Sequence, residues 1–379
     1  MTDIELELMN NSETLERIRR SWKLRLYFAL NMKAKRLYCE FIKEEQIEKK
    51  ASICAEILNA IENSIIWRYS INLRCKIRYY RVGIQQIGHH KVIDNSPRCV
   101  KDYYSVVVIV KDEARYMKEF LLFYFATGAD RIYVYDNDST DDLLEVLKPF
   151  LANGSVVYRR WGGDNVQTAA YMDAVRRTRK KTKWLAIIDA DEFLFSPKGN
   201  MPDQLREYEC FPGVCANWIM FGPNGHDRRP EGLVMDNYTT TPADYDSIIN
   251  RHVKSVVQPA QVECIHHTHY SKYKKGLFAV DETKEPVDNH HAYVPNSGRA
   301  FTAHNHRDVF RINHYRTKSI EDLEEKCRRG YADGAPNAEI EDLLGIYREP
   351  LVEDHSIKLY ADMVRESYSK NHFRKTSYI

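Results

Sequence analysis

The sequence predicts an α/β protein on a mostly parallel, Rossmann-like sheet, preceded by a mainly helical region. Three observations predict it. From Tyr103 onward, apolar runs of strand length alternate with segments of helix length, the pattern of a parallel sheet with right-handed crossovers. Three of the strand ends carry clustered carboxylates, at the edge where open α/β sheets bind ligands. Residues 1–100 differ from the rest in composition, being rich in basic residues with apolar positions at roughly helical spacing.

Taken in order, Ser105–Val110 reads as a buried strand (Val-Val-Val-Ile-Val), and Glu113–Thr127 as a helix. Arg131–Tyr135 is a second strand, and Ser139–Leu151 a second helix with Asp138 or Ser139 as its N-cap. Ser155–Arg159 and Val166–Lys180 repeat the unit. Trp184–Ile188 is a fourth strand that runs straight into acids. Further on, a strand is expected around Trp218 and another at Asn313–Tyr315, followed by a helix over Ser319–Gly330. We divide the chain into an N-terminal region (1–100), a catalytic domain (101–335) and a C-terminal helical tail (336–379).

Composition narrows the function. With 379 residues, 43% hydrophobic and 12% aromatic, the chain can bury a large core and is not a disordered segment. A net charge of +2 argues against nucleic acid as a partner for the whole chain. No apolar run approaches the roughly 18 residues that span a bilayer, and the acidic start (Asp3, Glu5, Glu7) is unlike a secretion signal. A cytoplasmic location is therefore expected. The eight cysteines form no CxxC pair and read as reduced thiols. Between Arg17 and Lys43, nine basic residues face one acid, Glu40. The bland reading is a solvated helix face. The sharper one is peripheral contact with anionic lipid at the inner membrane face.

The chemistry is expected at the strand ends. After the first strand comes Lys111-Asp112-Glu113, after the second Asp136-Asn137-Asp138-Ser139, and after the fourth Asp189-Ala190-Asp191-Glu192. A single strand-end Asp is commonly a turn former or helix cap. Three such clusters on one sheet edge repel one another unless a cation or hydrogen-bond donors offset them, and oxygen ligands favour Mg²⁺ or Mn²⁺. In an extended segment Asp189 and Asp191 point the same way. The run His266-His267-Thr268-His269 is not expected to bind zinc, since adjacent strand residues face opposite ways.

This arrangement resembles the GT-A fold of nucleotide-diphospho-sugar transferases, including family 2. The wording is closer still to glycosyltransferase family 92. The matching segments are Val110–Glu113, Tyr135–Ser139, Trp184 with Asp189–Phe193, Trp218 with Phe221–His226, His252–Ser255, Asn313–Tyr315 and Lys318-Ser319. They run in order over about residues 104 to 331. Eukaryotic members usually carry a membrane anchor, so a chain without an apolar span suggests a cytosolic, bacterial-type member.

The resemblance implies a metal-dependent inverting transferase moving a sugar, galactose favoured, from a UDP-sugar to a glycan or lipid-linked glycan acceptor. Asp112, Glu113, Asp136 and Asp138 would flank uracil and ribose, with helix capping as their ordinary role. Gln167 and Asp173 would close over the nucleotide. Asp191 would be the metal ligand, Asp189 its partner at ribose or metal, and His314 a third ligand. Lys318 would contact the diphosphate. Asp227 is the expected base and Glu231 the reserve, with Trp218 and His226 at the acceptor; a turn Asp paired with Arg228 or Arg229 and a core Trp are the plain alternatives. Two other functions stay open. A nucleotidyl- or phosphotransferase would ordinarily show a glycine-rich basic loop after the first strand, and here that loop is acidic. An inactive glycan-binding domain would keep the fold without binding metal.

Overall fold

The computed structural model describes residues 100–370 except 165, 266, 275–276, 288–300 and 330–339. The basic N-terminal region, its boundary at Asn95–Pro97 and the end of the C-terminal tail lie outside the described residues.

The alternating half comes first: β1 (Asp102–Val110), α1 (Ala114–Ala126), β2 (Arg131–Asp136), α2 (Leu143–Ala152), β3 (Val156–Arg160), α3 (Gln167–Thr178) and β4 (Thr182–Ile187). Then follow β5 (Glu192–Phe195), α4 (Met201–Arg206), β6 (Gly213–Met220), α5 (Val234–Asn237), β7 (Thr240–Pro242) and β8 (Val253–Val257). The last part contains β9 (Val262–Ile265), β10 (Ser271–Tyr273), β11 (Ala279–Val280), β12 (Pro286–Val287), β13 (Arg311–His314), α6 (Ile320–Arg329), α7 (Ile340–Gly345), β14 (Leu351–Glu353) and α8 (Lys358–Lys370).

The sheet runs β3-β2-β1-β4-β8-β6 and continues through β11 to β12. β1 pairs in parallel with β2 and β4, and β2 with β3. This is the mostly parallel α/β sheet the sequence predicts. β1 is central, and its β-branched run is buried on both faces from Tyr104 onward, Tyr103 before it being half-buried. Val107 and Ile109 pack with Ala170, Tyr171 and Ala174 of α3. Alternation turns Val106, Val108 and Val110 to the other face. The Phe123 ring of α1 lies 4.8 Å from Phe193 and 5.7 Å from Tyr360. Burying one such side chain contributes about 1.5–3 kcal/mol.

Two features of the second half position the site. β8 inserts antiparallel between β4 and β6. β5 folds back from the end of β4 and pairs antiparallel with β13, His314 opposite Glu192, while β13 also runs parallel to β6.

The elements depart from the expectations in two places. The second helix begins at Leu143, not Ser139, and neither Asp138 nor Ser139 caps it. The residues between form a braced loop: Ser139 N–H donates to Asp136 Oδ1 (2.8 Å) and Thr140 N–H to Asp112 Oδ1 (2.6 Å). Both Asp112 and Asp138 have positive φ, 51° and 56°, a conformation Asp tolerates better than most residues. The C-terminal stretch is not wholly helical, because β14 pairs antiparallel with β7.

Candidate functional site

The site grows from the turn after β4. Chain extension stops at Ile187, and Asp189–Glu192 reverse direction. Glu192 N–H donates to Asp189 O, and Asp189 N–H donates to the Glu192 carboxylate (2.8 Å). Because this is a turn, the two aspartates do not share one direction, as an extended segment would require. Each meets its own set of partners.

Asp189 Oδ1 accepts from Gln167 Nε2 and Tyr171 OH, both at 2.8 Å, and Oδ2 accepts from Lys254 Nζ at 2.7 Å. Gln167 is the first residue of α3, and Lys254 comes from β8. The Lys254 side chain is wholly buried and also lies 3.6 Å from Glu192. Burial pulls its pKa down, but Asp189 and Glu192 outweigh that and hold it up. Burial drives Glu192 the other way, well above the usual carboxylate range, against the pull of Lys254.

Asp191 is buried and meets a different trio. Tyr315 N–H donates to its carbonyl (2.8 Å), a consequence of the β5–β13 pairing. His314 Nε2 lies 3.4 Å from Asp191 Oδ1, and Lys326 Nζ of α6 donates to Oδ2. Burial alone would raise the Asp191 carboxyl, but Lys326 and His314 hold it well below its ordinary value. Burial lowers His314 despite the aspartate beside it.

The two earlier loops meet α6. Glu113 pairs with Arg329 at 2.7 Å and lies 3.7 Å from Lys318 Nζ. Arg329 also donates to the carbonyls of Lys111 and Asp112. Asp136 accepts from Tyr158 OH (2.7 Å), and Asp138 pairs with exposed Arg160. A cavity of about 460 Å³ opens among these elements, lined by Asp112, Glu113, Arg316, Lys318, Lys326 and Arg329 among others.

The remaining expected residues lie as follows. Asp173 sits further along α3 and is bonded to Arg177 and Tyr135, with Arg159 at 3.4 Å. Trp218 is buried, stacked on His252 at 4.9 Å and tilted on His314 at 4.4 Å, so its indole supports the His314 ring inside the core. His226 and Asp227 lie on a loop whose carbonyls accept the N–H groups of Ile320 and Glu321 at the start of α6. Asp227 is exposed. Glu231 is fully exposed, 3.8 Å from Arg115. Asp189, Asp191, Gln167 and His314 therefore come together around one turn, and Lys254 and Lys326 join them; Lys254 lies in a segment that carries the resemblance, but neither lysine was given a role from the sequence.

Among the described residues, no set of three or more His, Cys, Asp or Glu is arranged to hold a metal. Asp191 and His314 form a buried pair instead, with Lys326 bonded to the other carboxylate oxygen of Asp191. Such a pair suits a hard divalent cation that takes its other ligands from water and substrate phosphates.

The sequence model of glycosyltransferase family 92 matches residues 104–330. The chain belongs to this family. A family 92 protein from rice (Oryza sativa subsp. japonica) is 29% identical over 200 residues, 48% of this chain and 33% of the rice protein. One from Arabidopsis thaliana is 22% identical over 256 residues, 62% of this chain and 42% of that protein. The chain thus spans less than half the length of these family 92 relatives. Among solved structures, S. aureus TarS 1–349 in complex with UDP is similar at 14% identity and a TM-score of 0.32, over 73% of each chain.

Among the described residues of this family 92 chain, no helix is long and apolar enough to cross a membrane.

Proposed function

We propose that the chain is a metal-dependent, inverting glycosyltransferase that moves a sugar, galactose favoured, from a UDP-sugar to a hydroxyl of a glycan or lipid-linked glycan. Family 92 membership supports the reaction class. The observation that carries the metal-dependent reading is the buried Asp191–His314 pair at the strand-end edge, beside the acid-bearing loops after β1 and β2.

Asp191 and His314 would hold Mn²⁺ or Mg²⁺. When bound, the ion supplies positive charge to the departing diphosphate. Asp189 receives a ribose hydroxyl; a carboxylate offers about four lone-pair sites, and three donors already fix its orientation. Gln167 and Lys254 hold Asp189 in place, and Lys318 contacts the diphosphate. The loops bearing Asp112, Glu113, Asp136 and Asp138 border the nucleotide. Asp227 takes the proton from the acceptor hydroxyl as the sugar carbon is attacked. We assign the enzyme to the cytoplasm, with the basic N-terminal region as its contact with a membrane surface.

The test is calorimetric titration of UDP into wild type and Asp191→Asn, with and without Mn²⁺. We expect binding that requires Mn²⁺ and falls at least about tenfold in the variant, the loss typical of a ligand's partner or more. Folded wild type that ignores UDP with Mn²⁺ present would remove the UDP-sugar reading.

A further inference from the structure

Lys326 holds a position that the proposed reaction leaves unexplained. It belongs to the last turn of α6, and its side chain is four-fifths buried. Its ammonium donates to Asp191 Oδ2 and to the carbonyl of Arg316 (3.3 Å). The same carboxylate meets His314 through its other oxygen. A divalent ion held by Asp191 and His314 would therefore lie within a few ångströms of a fixed positive charge. At such separations, away from bulk water, like unit charges repel by well more than thermal energy. A divalent ion doubles that repulsion. The ion and the ammonium therefore compete for Asp191.

The surroundings supply a way out for the lysine. Lys326 also lines the 460 Å³ cavity, as do Arg316, Lys318 and Arg329. Arg329, one turn on, is bonded to Glu113 and to the carbonyls of Lys111 and Asp112. At the other end of the helix, Arg229 bonds Asp322 and Glu325. The helix is thus strapped to the first βα loop at one end and to the loop after β6 at the other, and a four-carbon stem can swing within the cavity while the straps hold.

We propose that Lys326 is a built-in counter-cation for Asp191, which competes with the divalent ion and moves onto the diphosphate when the metal and donor enter together. This rests on the metal- and nucleotide-dependent reading above. In the donor-free enzyme the lysine neutralises a buried carboxylate that would otherwise be costly to bury. Metal alone must displace it and binds weakly. Metal with diphosphate binds well, because the phosphates give the displaced ammonium a new partner. The lysine thereby couples the two ligands: each improves the affinity for the other.

The test measures Mn²⁺ alone, then UDP with saturating Mn²⁺, by calorimetry on wild type, Lys326→Gln and Lys326→Arg. Without nucleotide, Lys326→Gln is expected to bind Mn²⁺ roughly tenfold tighter than wild type, because the competing charge is gone. In Mn²⁺ it is expected to bind UDP roughly tenfold more weakly, having lost one charged phosphate contact. Lys326→Arg keeps the charge and should stay near wild type in both. Lys326→Met, which keeps the apolar stem, replaces Lys326→Gln if that variant melts before the titration. Mn²⁺ affinity of the charge-removing variant equal to or weaker than wild type, including no binding by either, overturns the proposal. So does equal tightening by Lys326→Arg. Whether wild type binds UDP, and needs Mn²⁺ to do so, is read from the titrations of UDP with and without Mn²⁺ proposed above, whereas the lysine's role is decided by Mn²⁺ alone, so the two fail independently.

Discussion

Lys254 is the side chain on which the strand-end turn depends most. Its ammonium is buried between Asp189 at 2.7 Å and Glu192 at 3.6 Å, and no water-exposed surface remains on it. Removing one partner of a buried charge set leaves the others uncompensated, which costs about 3–5 kcal/mol. Lys254→Met should therefore lower unfolding stability by about that amount in urea titration. The double variant Lys254→Met/Glu192→Gln should recover part of the loss, since the neutral Gln no longer needs a cation. A single-variant loss under about 1 kcal/mol would mean solvent reaches the cluster and screens it. The aspartates were legible in the sequence because they follow an apolar strand run, and His314 through the resemblance to GT-A transferases. The inward roles of Lys254, within a motif segment, and of Lys326 were not. A lysine reads as exposed until register is known. Lys254 is turned inward by the antiparallel pairing of β8 with β4 and β6, and Lys326 by the path of α6.

At the scale of elements, α8 shows how the tail is attached. Its buried positions Tyr360, Ala361 and Val364, with Ile357 just before it, recur at helical spacing. Tyr360 packs edge-on against Phe123 and Phe195, at 5.7 and 5.5 Å. Its hydroxyl donates to the carbonyls of Gly199 (2.8 Å) and Ser196 (3.2 Å). Tyr360→Ala opens a cavity in this aromatic cluster and should cost about 3–5 kcal/mol. Tyr360→Phe keeps the ring and should cost about 1 kcal/mol. Denaturant midpoints of the two variants check the pair; equal losses would mean that the hydroxyl, and not the ring, anchors the helix. The strands and helices from β1 to β4 were legible because they are long and periodic. β5, β7 and β9–β12 were not, since segments of two to four residues carry too few positions to show an alternation. The start of α2 was misjudged for a different reason. The hydroxyl and carboxylate of Ser139 and Asp136 brace neighbouring loops, and a cap-type residue used that way looks the same in sequence as one that caps.

Over the whole molecule, pH acts on groups that pull in opposite directions. Glu119 of α1 is buried and accepts the N–H groups of Val234 (2.8 Å) and Met235 (3.1 Å) at the start of α5. Burial pushes its carboxyl from 4.5 up to about 7, against the pull of those two bonds. Its folded pKa lies above the unfolded one, so its contribution is fully present below about 4.5 and lost as pH rises through about 7. Burial raises Glu192 in the same direction. His269 and His314 act oppositely: burial lowers both, so they cost stability as pH falls through the unfolded histidine range near 6.5. The wild-type curve between pH 5 and 8 is a near-cancellation and diagnoses no single group. The difference between wild type and Glu119→Gln does. Gln cannot ionise, so from pH 5 to pH 8 wild type should lose up to roughly 3 kcal/mol relative to the variant, the free-energy equivalent of that pKa displacement. The fixed offset from losing one backbone acceptor cancels in this comparison across pH. Parallel stability curves for the two proteins over that window would show that Glu119 ionises in the folded protein as easily as in the unfolded chain. The α1–α5 junction would then be wet where the structure has it dry.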